Sequence, residues 1–474
     1  MTRRFVSTLG VAALAACAHH VESNGPRDVV RDVVRVREGT LRGVVDGGVA
    51  SFKGVPFAAP PLGELRWHAP RPAAAWSGVR AADRFSPACM QRAPAAFGPW
   101  TLEFLLRGPV SEDCLYLNVW TAAPAEGAPR PVLVYVYGGG FASGSSDVPV
   151  YDGARLAAKG LVVVTINYRV GALGFLAHPA LSAESPDHAS GNYGLLDQIA
   201  ALQWVHDNVA AFGGDPSRVT VAGQSAGAIS VFLLTTSPRA RGLFQRAVIE
   251  SGPDALAAMG MATTRAAARP LADAERAGLA TARALGTPTV AELRALPAAQ
   301  LVSPPGAGRF GPVVDGAVVL DALAPINDVP TIAGMNADEG SSAPDYAADT
   351  GKARAREVGF ESLRRVLAER STTARTPAYA YYFDRVIPWP EHPEFGAFHT
   401  SEVPYVFGTL DVLPRPWTAE DRRLSETMMA YWVNFAARGD PNGPGLPTWP
   451  AFAPDGATVL ELGPRTGPIA AAPR

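Results

Sequence analysis

Five residues, Gly223-Gln224-Ser225-Ala226-Gly227, carry the strongest chemical signal in the chain. A nucleophilic serine on a strand-to-helix turn is forced into a strained backbone, and neighbouring side chains would collide there. Glycine two residues before and two after removes those collisions, and the following helix aims its N-terminus at the site. Glycine is common here, 47 of 474 residues, so the bare pattern is weak. Its context is what carries it: Val219 to Ala222 before it is short and β-prone, and Ala226 to Thr235 after it reads as a helix. Such a serine needs a base to take its proton and an acid to orient the base. On an elbow of this kind the order along the chain is serine, acid, histidine. Six of the eight histidines (His19, His20, His68, His178, His188, His206) precede Ser225, which leaves His392 and His399. His392 lies between Glu391 and Pro393 in a proline-rich turn and reads as a surface residue. His399, in Phe398-His399-Thr400-Ser401-Glu402 ahead of an apolar stretch, is the preferred base. The acid belongs in a loop directly after a strand. The run Pro330 to Met335 leads into Asn336-Ala337-Asp338-Glu339-Gly340, so Asp338 and Glu339 are both candidates, and spacing does not separate them. Acyl transfer through a tetrahedral intermediate also needs backbone N–H groups aimed at the developing oxyanion, worth several kcal/mol. Gly138-Gly139-Gly140-Phe141 follows an apolar run directly, and three glycines let the chain fold tightly enough to present two such groups.

The elements that must position these groups are visible around them. Pro131 to Tyr137 and Leu161 to Ile166 are unbroken, β-branched apolar runs, the pattern of strands buried on both faces of a largely parallel sheet. Between Asn192 and Phe212 the period changes. Leu195, Ile199, Leu202, Val205 and Val209 form one buried helical stripe, and Gly213-Gly214-Asp215-Pro216 ends it. Further strands are expected at Ala247 to Glu250 and Pro330 to Met335. Strand, glycine turn and helix in succession are the βα unit of a doubly wound α/β fold. Two helical insertions are expected, near 255–300 and 343–375, within one catalytic domain spanning 31–474.

The balance of the chain excludes several classes. Forty-two basic against 44 acidic residues give a net charge of -2, which favours neither a nucleic-acid partner nor a polybasic membrane surface. Only Lys53, Lys159 and Lys352 are lysine, so the positive charge is almost all arginine. At the N-terminus, Arg3 and Arg4 precede an apolar run from Phe5 to Ala16, too short to span a bilayer and right for a secretory signal. Leu14-Ala15-Ala16-Cys17 resembles a bacterial lipobox, so residues 1–17 are read as a lipoprotein signal with Cys17 lipidated. Cleavage after Ala18 is the competing reading. Residues 18–30 are then a polar linker, with His19 and His20 more plausibly solvated than metal ligands. The remaining pair, Cys89 and Cys114, favours a disulfide in an exported chain, worth roughly 3–4 kcal/mol. Nothing calls for a metal or organic cofactor.

Taken together, the blocks Phe52 to Trp67, Ser111 to Trp120, Asn167 to Phe175, Gly191 to Gln198, Phe212 to Pro216, Gly223 to Ala228, Gly334 to Gly340, His399 to Gly408 and Tyr431 to Gly443 resemble the type B carboxylesterases. These are α/β-hydrolases that include carboxylesterases, bile-salt-activated lipases and cholinesterases. The resemblance covers most of 31–474. It implies an α/β-hydrolase fold, a large mostly parallel sheet flanked by helices with helical cap insertions. It also implies Ser225 as nucleophile, Glu339 rather than Asp338 as acid, His399 as base, Gly139, Gly140 and Ala226 as oxyanion donors, and Cys89–Cys114 as the family's first disulfide. The implied partner is a small-molecule ester, with contact to membrane only through the lipid anchor. There are departures. Gln224 stands where the family usually has Glu, which disfavours cationic substrates. The stretch from Glu339 to His399 is short, so part of the cap is missing and the pocket is expected to be more open. That leans towards short-chain or bulky esters over long-chain lipids. Trp100, inside the 89–114 loop, is read as packing rather than as pocket lining. The competing function, a catalytically silent esterase-like binding protein, is disfavoured because such members lose the nucleophile or base and this chain keeps both.

Overall fold

The computed structural model describes residue 1 and residues 30–472, apart from 93–94, 124–126, 254, 260–267, 288, 305–307, 322–324, 344–345, 347–348 and 454–458. The proposed signal, Cys17 and almost all of the linker lie outside the described residues.

Eleven strands form the main sheet. In chain order they are β1 (Val44–Asp46), β2 (Val49–Pro56), β3 (Tyr116–Thr121), β4 (Arg130–Val136), β5 (Val162–Ile166), β6 (Gly214–Gln224), β7 (Arg246–Glu250), β8 (Thr331–Asn336), β9 (Ala378–Phe383), β10 (Val459–Leu462) and β11 (Gly467–Ile469). Their spatial order is β11-β10-β9-β8-β7-β6-β4-β5-β3-β2-β1. The seven strands from β5 through β4, β6, β7, β8 and β9 to β10 are mutually parallel. Antiparallel pairs close both edges, β3 on β5, β2 on β3 and β1 on β2 at one side and β11 on β10 at the other. The fold is thus α/β with a mostly parallel sheet, as the unbroken apolar runs imply, and it has the architecture that the resemblance to the type B carboxylesterases leads one to expect. Every residue of β5, β8 and β9 is buried, so the strands have no polar face to alternate with.

Helices flank this sheet. Helix α1 (Tyr193–Asn208) carries most of the expected stripe, with Leu195, Leu202 and Val205 buried and Ile199 half-buried; its last member, Val209, is buried in the short 3₁₀ turn that carries the chain to Gly213. Gly213 adopts the left-handed conformation (φ 76°) that stops the helix. Helix α2 (Ala226–Thr236) packs on β4, β6 and β7. The first region expected to be helical holds α3 (Leu271–Ala284) and α4 (Val290–Ala295), and the second holds α5 (Asp349–Ser371). Helix α6 (Ala419–Arg438) packs on β4 and β6. Cys89 and Cys114 are joined by a disulfide, both side chains buried. Among the described residues no helix is long and apolar enough to cross a membrane.

Candidate active site

Ser225 sits between β6 and α2 with φ 57° and ψ −122°, a left-handed backbone that costs a non-glycine residue on the order of 1–3 kcal/mol. The sheet holds it there. Its N–H donates to the Glu250 carbonyl at the end of β7 (2.9 Å), and its carbonyl accepts from Ile229 in the first turns of α2 (2.9 Å). The two elbow glycines are required by contact distance. A Cβ on Gly227 would lie 2.0 Å from the Val136 carbonyl oxygen, and one on Gly223 would lie 2.6 Å from the Gly227 carbonyl group. Alanine at either position would push the elbow out of the sheet. Ala226 is the first residue of α2, so its N–H is one that helix geometry leaves without an intrahelical partner.

The glycine loop leaves the end of β4 against this elbow. A Cβ on Gly138 would meet the Ser225 Cβ at 2.9 Å. Gly139 and Gly140 take φ 110° and 63°, and the loop turns back so that Ala142 and Ser143 N–H both donate to the Gly139 carbonyl (3.1 Å each). Phe141 is buried, stands edge-on to Phe175 at 5.2 Å, and accepts a hydrogen bond on its carbonyl from Gly171 N–H (2.7 Å). The segment carrying Gly171 is pinned by Arg169, whose guanidinium grips buried Asp197 through two bonds of 2.8 and 2.7 Å. Removing either partner of such a pair costs about 3–5 kcal/mol, so the loop's footing is rigid.

His399 and the two carboxylates sort themselves by reach. Glu339, after β8, accepts from His399 Nδ1 at 2.5 Å and, through its other oxygen, from Asn336 N–H at 2.8 Å. Asp338 points away. It receives Arg356 Nε and Nη2 (2.9 and 3.0 Å), the Tyr346 hydroxyl (3.0 Å) and Ala397 N–H (2.9 Å), with Lys352 Nζ at 3.5 Å. Burial pushes the Asp338 carboxyl up, but the hydrogen bonds and charge of Arg356 outweigh it and hold the pKa below its ordinary value. Asp338 therefore ties the acid loop to the histidine loop. Because Nδ1 of His399 faces a carboxylate, Nδ1 carries the proton and Nε2 is the acceptor. Nε2 takes a hydrogen bond from the Gln224 amide at 3.2 Å, on the side of the ring that faces the elbow. His392 lies elsewhere, exposed and paired with Glu394 at 3.0 Å.

Trp100 stands beside the histidine, edge-on to its ring at 6.4 Å, and its indole N–H donates to Thr400 Oγ1 (2.9 Å). Below, Glu402 and Glu250 are fully buried carboxyls that the sequence reading passed over. Glu402 accepts from Asn336 Nδ2 (2.5 Å), and Glu250 from the Trp432 indole (2.8 Å). Their only advance signal is Glu402's place three residues after His399. Burial, reinforced by the charge of Glu339, pushes Glu402 up to about 7. Burial first, then Glu402, pushes Glu250 well above its usual range. Among the described residues no three His, Cys, Asp or Glu side chains are grouped to hold a metal ion.

The sequence matches the Carboxylesterase family over residues 30–366 and 355–472. It is 37% identical to the Fumonisin B1 esterase of Sphingopyxis macrogoltabida, across 97% of this chain and 90% of that one. It is 34% identical to the Phenmedipham hydrolase of Pseudarthrobacter oxydans, across 92% of this chain and 96% of that one. The chain belongs to the carboxylesterase family, and it is a carboxylic ester hydrolase.

Two pH predictions follow from these groups. Burial lowers the His399 pKa, but the Glu339 charge and hydrogen bond more than offset it, so the net shift is upward from 6.5. With His399 as the base proposed below, activity should be lost as pH falls through that raised value, since a base works only when neutral. For a neutral p-nitrophenyl ester, kcat/KM should climb to a plateau with its midpoint above pH 6.5. A midpoint below 6.5 would contradict the assignment. Glu402 titrates in the same window, so the limb belongs to the coupled pair, and Glu402→Gln isolates the histidine. Stability should run the other way. Between 4.5 and about 7 the unfolded chain has lost the Glu402 proton while the folded protein keeps it. Unfolding free energy therefore falls as pH rises through that window. Glu250, pushed well above its usual range, and Asp384, pushed by burial up to about 6, add to the same slope. Urea titrations at pH 5 and pH 7.5 read it, and Glu402→Gln should reduce it without abolishing it; an unchanged slope in the variant would assign it to the other groups.

Proposed function

We propose that the protein hydrolyses small-molecule carboxylic esters through an acyl-enzyme, with Ser225 as nucleophile, His399 as base and Glu339 as orienting acid. Gly139, Gly140 and Ala226 supply the oxyanion N–H groups. The observation that carries this reading is the pairing of a serine on a left-handed elbow with a buried histidine hydrogen-bonded to Glu339 across the Gln224 side chain. Ser225 Oγ attacks the ester carbonyl carbon as His399 Nε2 takes its proton. The negative charge that forms on the carbonyl oxygen meets backbone N–H groups from the glycine loop and the start of α2. Collapse expels the alcohol, which leaves with the proton from Nε2. Water, deprotonated by the same nitrogen, then attacks the acyl-serine; the bond to Oγ breaks, Nε2 returns the proton to Ser225 Oγ, and the acid leaves.

The short segment between Glu339 and His399 and the names of the two relatives support bulky or short-chain esters over long-chain lipids. A p-nitrophenyl series from acetate to palmitate, with fumonisin B1 and phenmedipham in the same panel, tests this. Turnover that peaks at short chains and disappears in Ser225→Ala is expected. Turnover that peaks at palmitate would make the protein a lipase. No turnover, with no fluorophosphonate label on Ser225, would leave the esterase-like binding protein.

Our reading also keeps 31–474 as one catalytic domain, exported and anchored in the periplasm through a lipid on Cys17. The disulfide supports export, since a reducing cytosol would not maintain it. Release of the protein from membranes by Cys17→Ala is the expected result, and unchanged partitioning would remove the anchor.

A further inference from the structure

The glycine loop is held from outside by a side chain that the chemistry above does not use. Gln91 is 4% exposed and sits two residues past Cys89. Its Oε1 accepts from Gly144 N–H at 2.8 Å, while its Nε2 donates to the Gly144 carbonyl at 2.8 Å and to the Cys89 carbonyl at 2.9 Å. A two-way bond to one peptide residue fixes both position and rotation, and turning the amide over would set like groups against each other. Gly144 cannot be replaced to relieve this clamp. It takes φ 118°, and a Cβ there would lie 2.4 Å from the Tyr137 ring and 2.5 Å from the Gly138 carbonyl oxygen.

We propose that Gln91 is the positioning residue of the oxyanion hole, holding the far end of the loop at Gly144 so that the Gly139 and Gly140 N–H groups stay aimed at the reacting carbonyl. The link runs through the peptide planes. Ala142 and Ser143 hold the Gly139 carbonyl at 3.1 Å, pointing into the turn. In a trans peptide the N–H of the next residue points the opposite way. The turn thus dictates where the Gly140 N–H goes, and Gln91 dictates where the turn ends. The strut itself is stiff, because it springs from a buried disulfide. Cys114, its partner, lies two residues before β3 and accepts on its carbonyl from Tyr116 N–H at 2.8 Å. The clamp therefore connects the central sheet, through Cys114 and Cys89, to the loop that meets the developing charge.

This inference rests on the proposed oxyanion roles of Gly139 and Gly140, and the test separates the two. Gln91→Ala and Gln91→Glu are compared with wild type for p-nitrophenyl butyrate hydrolysis, for inhibition by an alkyl trifluoromethyl ketone and for thermal unfolding. The ketone forms a hemiketal oxyanion on the nucleophile and expels no alcohol, so in variants that keep serine, histidine and acid a change in its affinity reports on the hole. Losing one oxyanion donor costs about 10²–10³ in kcat, and loosening two should cost about 10–100-fold. The expected result is that loss in kcat with KM changed less than threefold, and a fall in ketone affinity that tracks kcat/KM across the variants. Gln91→Glu keeps the side-chain volume and the acceptor for Gly144 N–H but loses both donors, so it serves if the alanine variant does not fold. A folded variant with unchanged kcat and ketone affinity, or with loss confined to KM, overturns the proposal. If wild-type protein neither turns over the ester nor binds the ketone, the serine-esterase reading falls first.

Discussion

Ser225→Ala should lower kcat for p-nitrophenyl butyrate by about 10⁶, the loss seen when a unit of this kind is deprived of its nucleophile. The residual rate, still above that in water, would come from the oxyanion N–H groups and binding alone. The fold should not notice the change. The Ser225 side chain makes no capping bond to α2, and the elbow is held by its backbone N–H and carbonyl, which alanine keeps. Thermal unfolding should therefore stay within about 0.5 kcal/mol of wild type, the usual range for a change that breaks no packing or hydrogen bond. A variant that folds normally and retains activity within tenfold of wild type would remove Ser225 from the chemistry.

The second large effect separates two adjacent carboxylates. Glu339→Gln should reduce kcat by about 10⁴, because an amide facing Nδ1 no longer enforces the tautomer with its acceptor at Nε2 and no longer stabilises the imidazolium. The acid limb of the pH profile should also move down, since the charge that raises the His399 pKa is gone. Asp338→Asn should do the reverse. Arg356, mostly buried, would keep, among the described residues, only Asp384 at 3.4 Å as an ionic partner, and stability should fall by about 3 kcal/mol. Its kcat, measured well below the melting temperature, should change less than tenfold. Chemical denaturation and steady-state kinetics on the two variants decide the matter. If Asp338→Asn loses the catalytic factor and Glu339→Gln the stability, the roles are exchanged.

How much of this could be read in advance depended on distance along the chain. The parallel strands β4 and β5 announce themselves, because burial on both faces leaves an unbroken apolar run. The elbow does too, since its strand, turn and helix are contiguous. β6 proved longer than the β-prone run Val219 to Ala222: Gly214 already pairs with Arg130, with an irregularity before Val219 that no residue pattern signals. β9, Ala-Tyr-Ala-Tyr-Tyr-Phe, alternates small and large residues like a half-exposed strand but is wholly buried. The tyrosines are taken up by neighbours far away in the chain, as Tyr381 is by Trp432 and Trp449. Asp338 and Glu339 could not be told apart locally because what distinguishes them, Arg356 for one and His399 for the other, arrives from separate elements. Gln91 was invisible for the same reason, its partner lying 53 residues on. Trp100 packs, as its place in the 89–114 loop leads one to expect, but on the ring of His399.

The contacts of Gly223 and Gly227 bear on how such a protein can change over generations. Both glycines touch backbone, not side chains, so no compensating substitution elsewhere can make room for a larger residue. Core positions usually drift in pairs, one side chain shrinking as its neighbour grows. Here there is no neighbour able to shrink. The elbow is therefore closed to gradual revision, and new specificities must be written in side chains around it rather than in its own backbone. A lineage built on this elbow can exchange substrates readily while its reaction stays the same.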